Sequence, residues 1–195
     1  MTLAVLADLA QLLAETFLEP EARLQARFQQ VLASDPSPAL TEPLGRLVQY
    51  PQAGDAQPVE YSRLFLHARD TATVHLFESV QACGLHLAPE IMEPLQTLFG
   101  EAGLTPQEGL GVPSDHLGLE FACLSLLLGQ VIEGDRAERA RFRELAQRLL
   151  GGHLRPFVAA IAGQLPQAAP GVYYQAAVDL ATALVAETEK ALAEI

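Results

Sequence analysis

The stretch Val112-Pro113-Ser114-Asp115-His116-Leu117 brings a carboxylate and an imidazole together where a proline-led loop meets an apolar helix, and Glu120 follows His116 by one helical turn. Two carboxylates around a histidine can cap a helix through a hydrogen-bonded His, form an acid/base pair, or clamp a guanidinium, since carboxylates accept bidentate arginine contacts. The helix dipole favours the Asp115 carboxylate in a first turn. The residues alone leave all three open, with the cap the plainest. A second segment, Tyr61-Ser62-Arg63-Leu64-Phe65, places Tyr61, Leu64 and Phe65 at i, i+3 and i+4, one face of a helix, which is either core or the lining of an apolar groove.

Catalytic and ligand-binding motifs are otherwise missing. There is no Gly-x-Ser-x-Gly elbow, no His-Glu-x-x-His and no phosphate loop, and Lys190 is the only lysine. A hydrolase built on His116 with Asp115 or Glu120 lacks a nucleophile placed by motif. Cys83 and His86 form the only close Cys/His pair, half a metal site at most, so neither a metal nor a cofactor is expected.

Charge says more. The chain carries 12 Lys+Arg against 24 Asp+Glu, net -12. Nucleic acid and anionic membrane surfaces reward a basic protein, so both are disfavoured and a cationic partner is expected. Between Asp70 and Asp135 there is no Lys or Arg, while Arg136, Arg139, Arg141, Arg143 and Arg148 crowd one helix. Two cysteines 40 residues apart make no disulfide framework. Free thiols in a reducing compartment are the default, so the cytoplasm is the expected location; the N-terminus, which lacks the charged start of a signal peptide, is expected to be a first helix, and the apolar run Leu117–Ile132, too short to span a bilayer, a core helix.

The elements that must position these residues are helices. Alternating β-branched runs and hairpin dipeptides are lacking, so the expectation is a single all-α domain over residues 1–195 with about nine or ten helices. A first helix runs from Thr2 to near Pro20. A second starts at Pro20 and a third reaches about Tyr50. Residues 51–58 are a loop, followed by a short helix through Tyr61. Residues 70–84 are irregular with a short helix at Leu76–Ala82, and Pro89 to Gly100 is helical. Residues 103–113 are a long loop. Ser114 then caps a helix whose stripes Leu117/Phe121/Leu124/Leu128 and Cys123/Leu127/Val131 are broad enough for a nearly surrounded central position. The arginine-rich helix ends at Gly151-Gly152, a shorter one spans His153–Gly163, and the last spans about Gly171–Ala193.

Glu60-Tyr61-Ser62-Arg63-Leu64-Phe65 resembles the aromatic-x-x-Leu-Phe motif of the TorD/DmsD (NarJ-related) group of redox-enzyme maturation chaperones, and Pro113-Ser114-Asp115-His116 resembles their Pro-x-Asp-His motif. Gly152-His153-Leu154-Arg155-Pro156-Phe157 is similar to a third segment, with Tyr173-Tyr174 in the final helix. The chain departs from the family in having Val112 where an acidic residue is frequent, and in having no Trp. The resemblance, over roughly residues 3–193, implies a cytoplasmic all-α chaperone without turnover of its own. It would bind the twin-arginine signal peptide and apoprotein of a molybdopterin-dependent oxidoreductase, assist cofactor insertion and delay export. A nitrate-reductase-type assembly chaperone is the alternative, with a small His/Asp hydrolase behind it. Carried over by residue, Tyr61, Leu64 and Phe65 would form the apolar part of a peptide groove, and Pro113, Asp115 and His116 its polar part. Glu120 joins them by helix spacing. The expected state is a monomer, or a dimer swapped through the 51–58 or 103–113 loops.

Overall fold

The computed structural model describes residues 2–18, 24–50, 56–66, 73–104 and 112–195. Among them are ten α-helices: α1 (Leu3–Leu18), α2 (Gln25–Ala33), α3 (Pro38–Gln49), α4 (Ala56–Tyr61), α5 (Glu78–Cys83), α6 (Pro89–Glu101), α7 (Leu117–Glu133), α8 (Arg136–Leu149), α9 (Arg155–Gln164) and α10 (Val172–Ala193). No strand is present among the described residues. An isolated antiparallel bridge joins Phe77 to His116. Pro20, Asp70, Glu108 and most of the two expected loops lie outside the described residues.

Local chemistry starts and stops these helices. Proline sits in the first turn of α3, α6 and α9, where its missing N–H costs nothing. At α8 the Asp135 carboxylate accepts from the Ala137 and Glu138 N–H groups at 2.8 and 3.0 Å, while Glu138 accepts from Asp135 N–H at 2.9 Å. This reciprocal capping box lets α8 begin after only two residues, Gly134 and Asp135, beyond the end of α7. Gly84, at φ 69°, ends α5 in the left-handed region.

α7 is the central helix its two apolar stripes predict, with Leu117, Phe121, Cys123, Leu124, Leu127, Leu128 and Val131 all buried. α1 lies antiparallel against it. Ser125 Oγ donates to the Ala7 carbonyl at 2.9 Å near the middle. At the other end, a Cβ on Gly118 would fall 2.6 Å from Leu18 Cγ and 3.0 Å from the Ala14 carbonyl oxygen. Glycine at 118 therefore permits this close approach. α10 closes the core from the far side and is tied to α3 by Arg46–Asp179 at 2.6 Å.

Two expectations fail for tertiary reasons. Gly151-Gly152 does not end the arginine-rich helix. The backbone stays right-handed through a π-helical turn, Leu150–Leu154, and runs on into α9, held by the burial of Leu150, His153 and Leu154. The helix expected at Leu76–Ala82 starts later, at Glu78, because Thr73–Phe77 is extended and bonded to other segments. A second π-helical turn, Ser62–Leu66, continues α4.

Substitution at two glycines of α7 checks the packing. Gly118→Ala should lower unfolding free energy by about 1–3 kcal/mol, the usual cost of overpacking. Gly129→Ala, where a Cβ meets nothing within 4 Å, should be neutral or stabilise by up to about 1 kcal/mol from helix propensity. Urea titration of both variants reads the difference.

Candidate functional site

The extended segment Thr73–Phe77 and the turn Val112–His116 are laced together at the start of α7. Leu117 N–H donates to the Leu76 carbonyl, and Glu78 N–H to the Asp115 carbonyl, each at 2.9 Å. The same extended segment reaches back to the π-helical turn after α4, where Val74 N–H donates to the Leu64 carbonyl at 3.0 Å. Two stretches that are remote in the chain thus share one end of the α1–α7 pair.

The helix cap is His116. Its Nδ1 accepts from the Gly118 N–H at 3.1 Å, whereas the Ser114 hydroxyl, buried, has no hydrogen-bond partner. The expected Ser114 cap is thereby corrected. Asp115 and His116 precede the first turn because the bridge to Phe77 holds His116 extended.

Asp115, 1% exposed, turns away from α7 toward the start of α5. Its Oδ2 accepts from Ser79 N–H at 3.1 Å and from Ser79 Oγ at 2.5 Å, which leaves Oδ1 buried without a partner. Glu120 is wholly buried, and neither of its carboxyl oxygens has a partner. Glu78, 4% exposed, completes the group by accepting from His153 Nδ1 at 2.8 Å. Each orphaned buried acceptor costs about 1–3 kcal/mol, so this end of the molecule is kept at the expense of stability.

Electrostatics follow from that burial. Desolvation, then the nearby Glu78 and Asp115 charges, raise the Glu120 carboxyl well above its ordinary range, so the neutral acid is favoured. Desolvation pulls His116 down to about 4, with Asp115 opposing, and keeps the imidazole a neutral acceptor at its cap. The Cys123 thiol, one turn from Glu120, is pushed up to about 12 by burial and by the Glu120 charge. Ser79 is fully buried and its hydroxyl is committed to Asp115. Among the described residues no set of three metal-ligating side chains forms.

Of the residues singled out by sequence, Asp115, His116 and Glu120 come together, with Pro113 half-buried at the turn before them. Tyr61, Leu64 and Phe65 lie apart from them, turned into the core. Phe65 packs edge-on to Phe17, Tyr61 and Tyr174, with ring centroids 6.2, 5.1 and 5.2 Å apart. Tyr61 Oη donates to the Phe17 carbonyl at 2.8 Å and so completes the end of α1. Arg63 donates to the Ala168 and Ala169 carbonyls at 2.8 and 2.9 Å, and Glu60 accepts from the Gly171 N–H just before α10. This segment fastens α1 and α10 together.

Sequence reading missed Glu78, Ser79 and His153. The first two stand in the irregular 70–84 stretch, and His153 reads only as a scattered histidine at a helix start and as part of a family segment. The absence of cations from Asp70 to Asp135 was the available signal, since it left Glu78, Asp115 and Glu120 without a local counter-charge. Outside the buried group lies an apolar surface. His116 packs on Phe77 at 5.2 Å between ring centroids, and Phe77 packs on His86 at 5.7 Å. Leu85 and Leu87, beside His86, are 64% and 56% exposed.

The model of one protein family, described as nitrate reductase delta subunit, matches residues 34–162. No curated protein matches the chain. Among the described residues no helix is long and apolar enough to cross a membrane.

The two shifted groups act oppositely on stability. A carboxyl raised in the folded state makes folding less favourable as pH climbs from the unfolded value through the folded one. Glu120→Gln should therefore match the wild type near pH 4.5 and gain on it steadily toward pH 8. Histidine depressed in the folded state loses stability as pH falls from about 6.5 toward about 4. His116→Asn, which keeps an acceptor at the cap, should be near neutral at pH 7.5 and relatively more stable at pH 5. Denaturation midpoints across this range test both signs.

Proposed function

Since the chain belongs to the nitrate reductase delta subunit family of molybdoenzyme assembly chaperones, we propose that it binds the twin-arginine signal peptide and apoprotein of a molybdopterin-dependent oxidoreductase, assisting cofactor insertion and delaying export. One observation carries the reading: Asp115 Oδ1 and both Glu120 oxygens are buried without hydrogen-bond partners. A guanidinium offers five donors in a rigid fork and never loses its charge, so it is the side chain best suited to such acceptors. Two arginines in tandem would also draw the Glu120 carboxyl to its ionised form.

Entry requires the 112–116 turn to part from the 73–77 segment. The contacts to be broken are the two backbone bonds that flank the Phe77–His116 bridge and the Ser79–Asp115 pair. The apolar stretch of the peptide then finds Leu85, Leu87 and Val112, which are exposed beside the buried acids. Pro113 and His116 hold the turn that carries Asp115. Tyr61, Leu64 and Phe65 support this site from behind, through the Leu64–Val74 backbone bond.

The family's own description favours a second reading, a nitrate-reductase-type client in which the arginine pair plays no part. Calorimetry on the full chain separates the two. A synthetic signal peptide with Arg-Arg should bind, the Gln-Gln version should lose about tenfold or more in affinity, and Asp115→Asn and Glu120→Gln should each weaken the Arg-Arg peptide comparably. Equal binding of both peptides, unaffected by either substitution, would leave the nitrate-reductase-type reading and sink the arginine one.

A further inference from the structure

The far end of the α1–α7 pair has the opposite character. Ile132 lies fourteen residues from Gly118 along α7, about 21 Å of helix. There the start of α1, the end of α7, the start of α8 and Ile195, two residues past α10, enclose an open concavity of about 760 Å³. Its walls include Leu3, Val131, Ile132 and Ile195, and its rim carries Arg136, Arg139 and Arg143 together with Asp135, whose carboxylate is engaged in capping α8. Spacings of three and four place those arginines on one face of α8.

The three differ in how they are held. Arg139 is committed to the end of α7, with Nε donating to the Gly134 carbonyl at 2.7 Å and Nη2 to the Ile132 carbonyl at 3.1 Å. Arg136 and Arg143 make neither a hydrogen bond nor an ion pair among the described residues. In a chain with twice as many acids as bases, two uncommitted guanidiniums thus stand beside an aliphatic wall on the arginine-rich helix.

We propose that this groove docks an acidic amphipathic helix of a partner protein, with its carboxylates on Arg136 and Arg143 and its apolar side chains against Leu3, Ile132 and Ile195. Charge complementarity selects the occupant. Nucleic acid would meet a strongly acidic protein, and the groove offers no aromatic ring for a base to stack on. An inorganic anion leaves the aliphatic floor wet. A helix with carboxylates along one edge of an apolar stripe satisfies both parts, and the repulsion from the rest of the surface is screened beyond about 8 Å at physiological salt. The site is independent of the buried carboxyl group at the other end.

Fluorescence anisotropy with the full chain tests the proposal. The probe is a labelled 18-residue helix with leucines at i, i+3, i+4 and i+7 flanked by glutamates. Its counterpart carries lysines in their place. The glutamate peptide should bind about tenfold or more tighter than the lysine peptide, and Arg143→Glu should reverse that preference. Arg148→Glu, on the same helix but paired with Glu101 outside the groove, should not. If Arg143→Glu lowers helicity by circular dichroism, Arg136→Glu, which is exposed and unpaired, carries the same test. Equal affinity for both peptides, or indifference to the groove substitutions, overturns the proposal. So does Arg143-dependent capture by vesicles containing phosphatidylserine, which assigns the groove to a membrane, or Arg143-dependent self-association in sedimentation, which assigns it to a second copy of this chain.

Discussion

One end of this molecule is governed by the need to hold three carboxyl groups out of water with too few donors. Glu78 has His153 and Asp115 has Ser79, but Glu120 has nothing, and one oxygen of Asp115 is left over. Burial this complete is affordable only because one of the three can stay protonated. The rest of the local structure serves the enclosure. His116 caps α7 as a neutral acceptor, the extended 73–77 segment seals one side, and the α1–α7 contact at Gly118 lies between His116 and Glu120 in the chain.

The Tyr61 segment plays a complementary part. Its polar groups reach into three different places: the end of α1 through Tyr61, the turn before α10 through Glu60 and Arg63, and the extended segment through the Leu64 carbonyl. Its apolar face fills the space between them. A motif of this kind sets the distance between α1, α10 and the carboxyl group, so its influence on a site need not require contact with a ligand.

How much of this was legible in the sequence depended on how local the cause was. The all-helical fold and the central place of α7 follow from the period of Leu117, Phe121, Leu124 and Leu128, a property of neighbouring residues. The cap at His116 was not legible, because it depends on a backbone bridge to Phe77. Gly151-Gly152 read as a stop and proved to be a continuation, since packing of Leu150 and Leu154 outweighs glycine's weak helix propensity. Within the site, Asp115, His116 and Glu120 share one short stretch and could be found together. Glu78 and His153 are 75 residues apart and meet only through the fold. The Tyr61 stripe could be core or groove on periodicity alone, and only the positions of Phe17 and Tyr174 place it in the core.

The π-helical turn at Leu150–Leu154 bears on how this family of shapes tolerates length change. A π-turn holds one residue more than the α-helix it interrupts, and that extra residue rotates everything after it by about a quarter-turn or more around the helix axis. His153 reaches Glu78 from within this wound-up register. Deleting a single residue here would leave an uninterrupted helix of excellent local geometry, and would swing the imidazole off the carboxylate it serves. The insertion acts as an angular adjustment between α8 and α9. It ties the pairing of two side chains to an odd residue count, a constraint on the chain's length that no substitution at either partner would reveal.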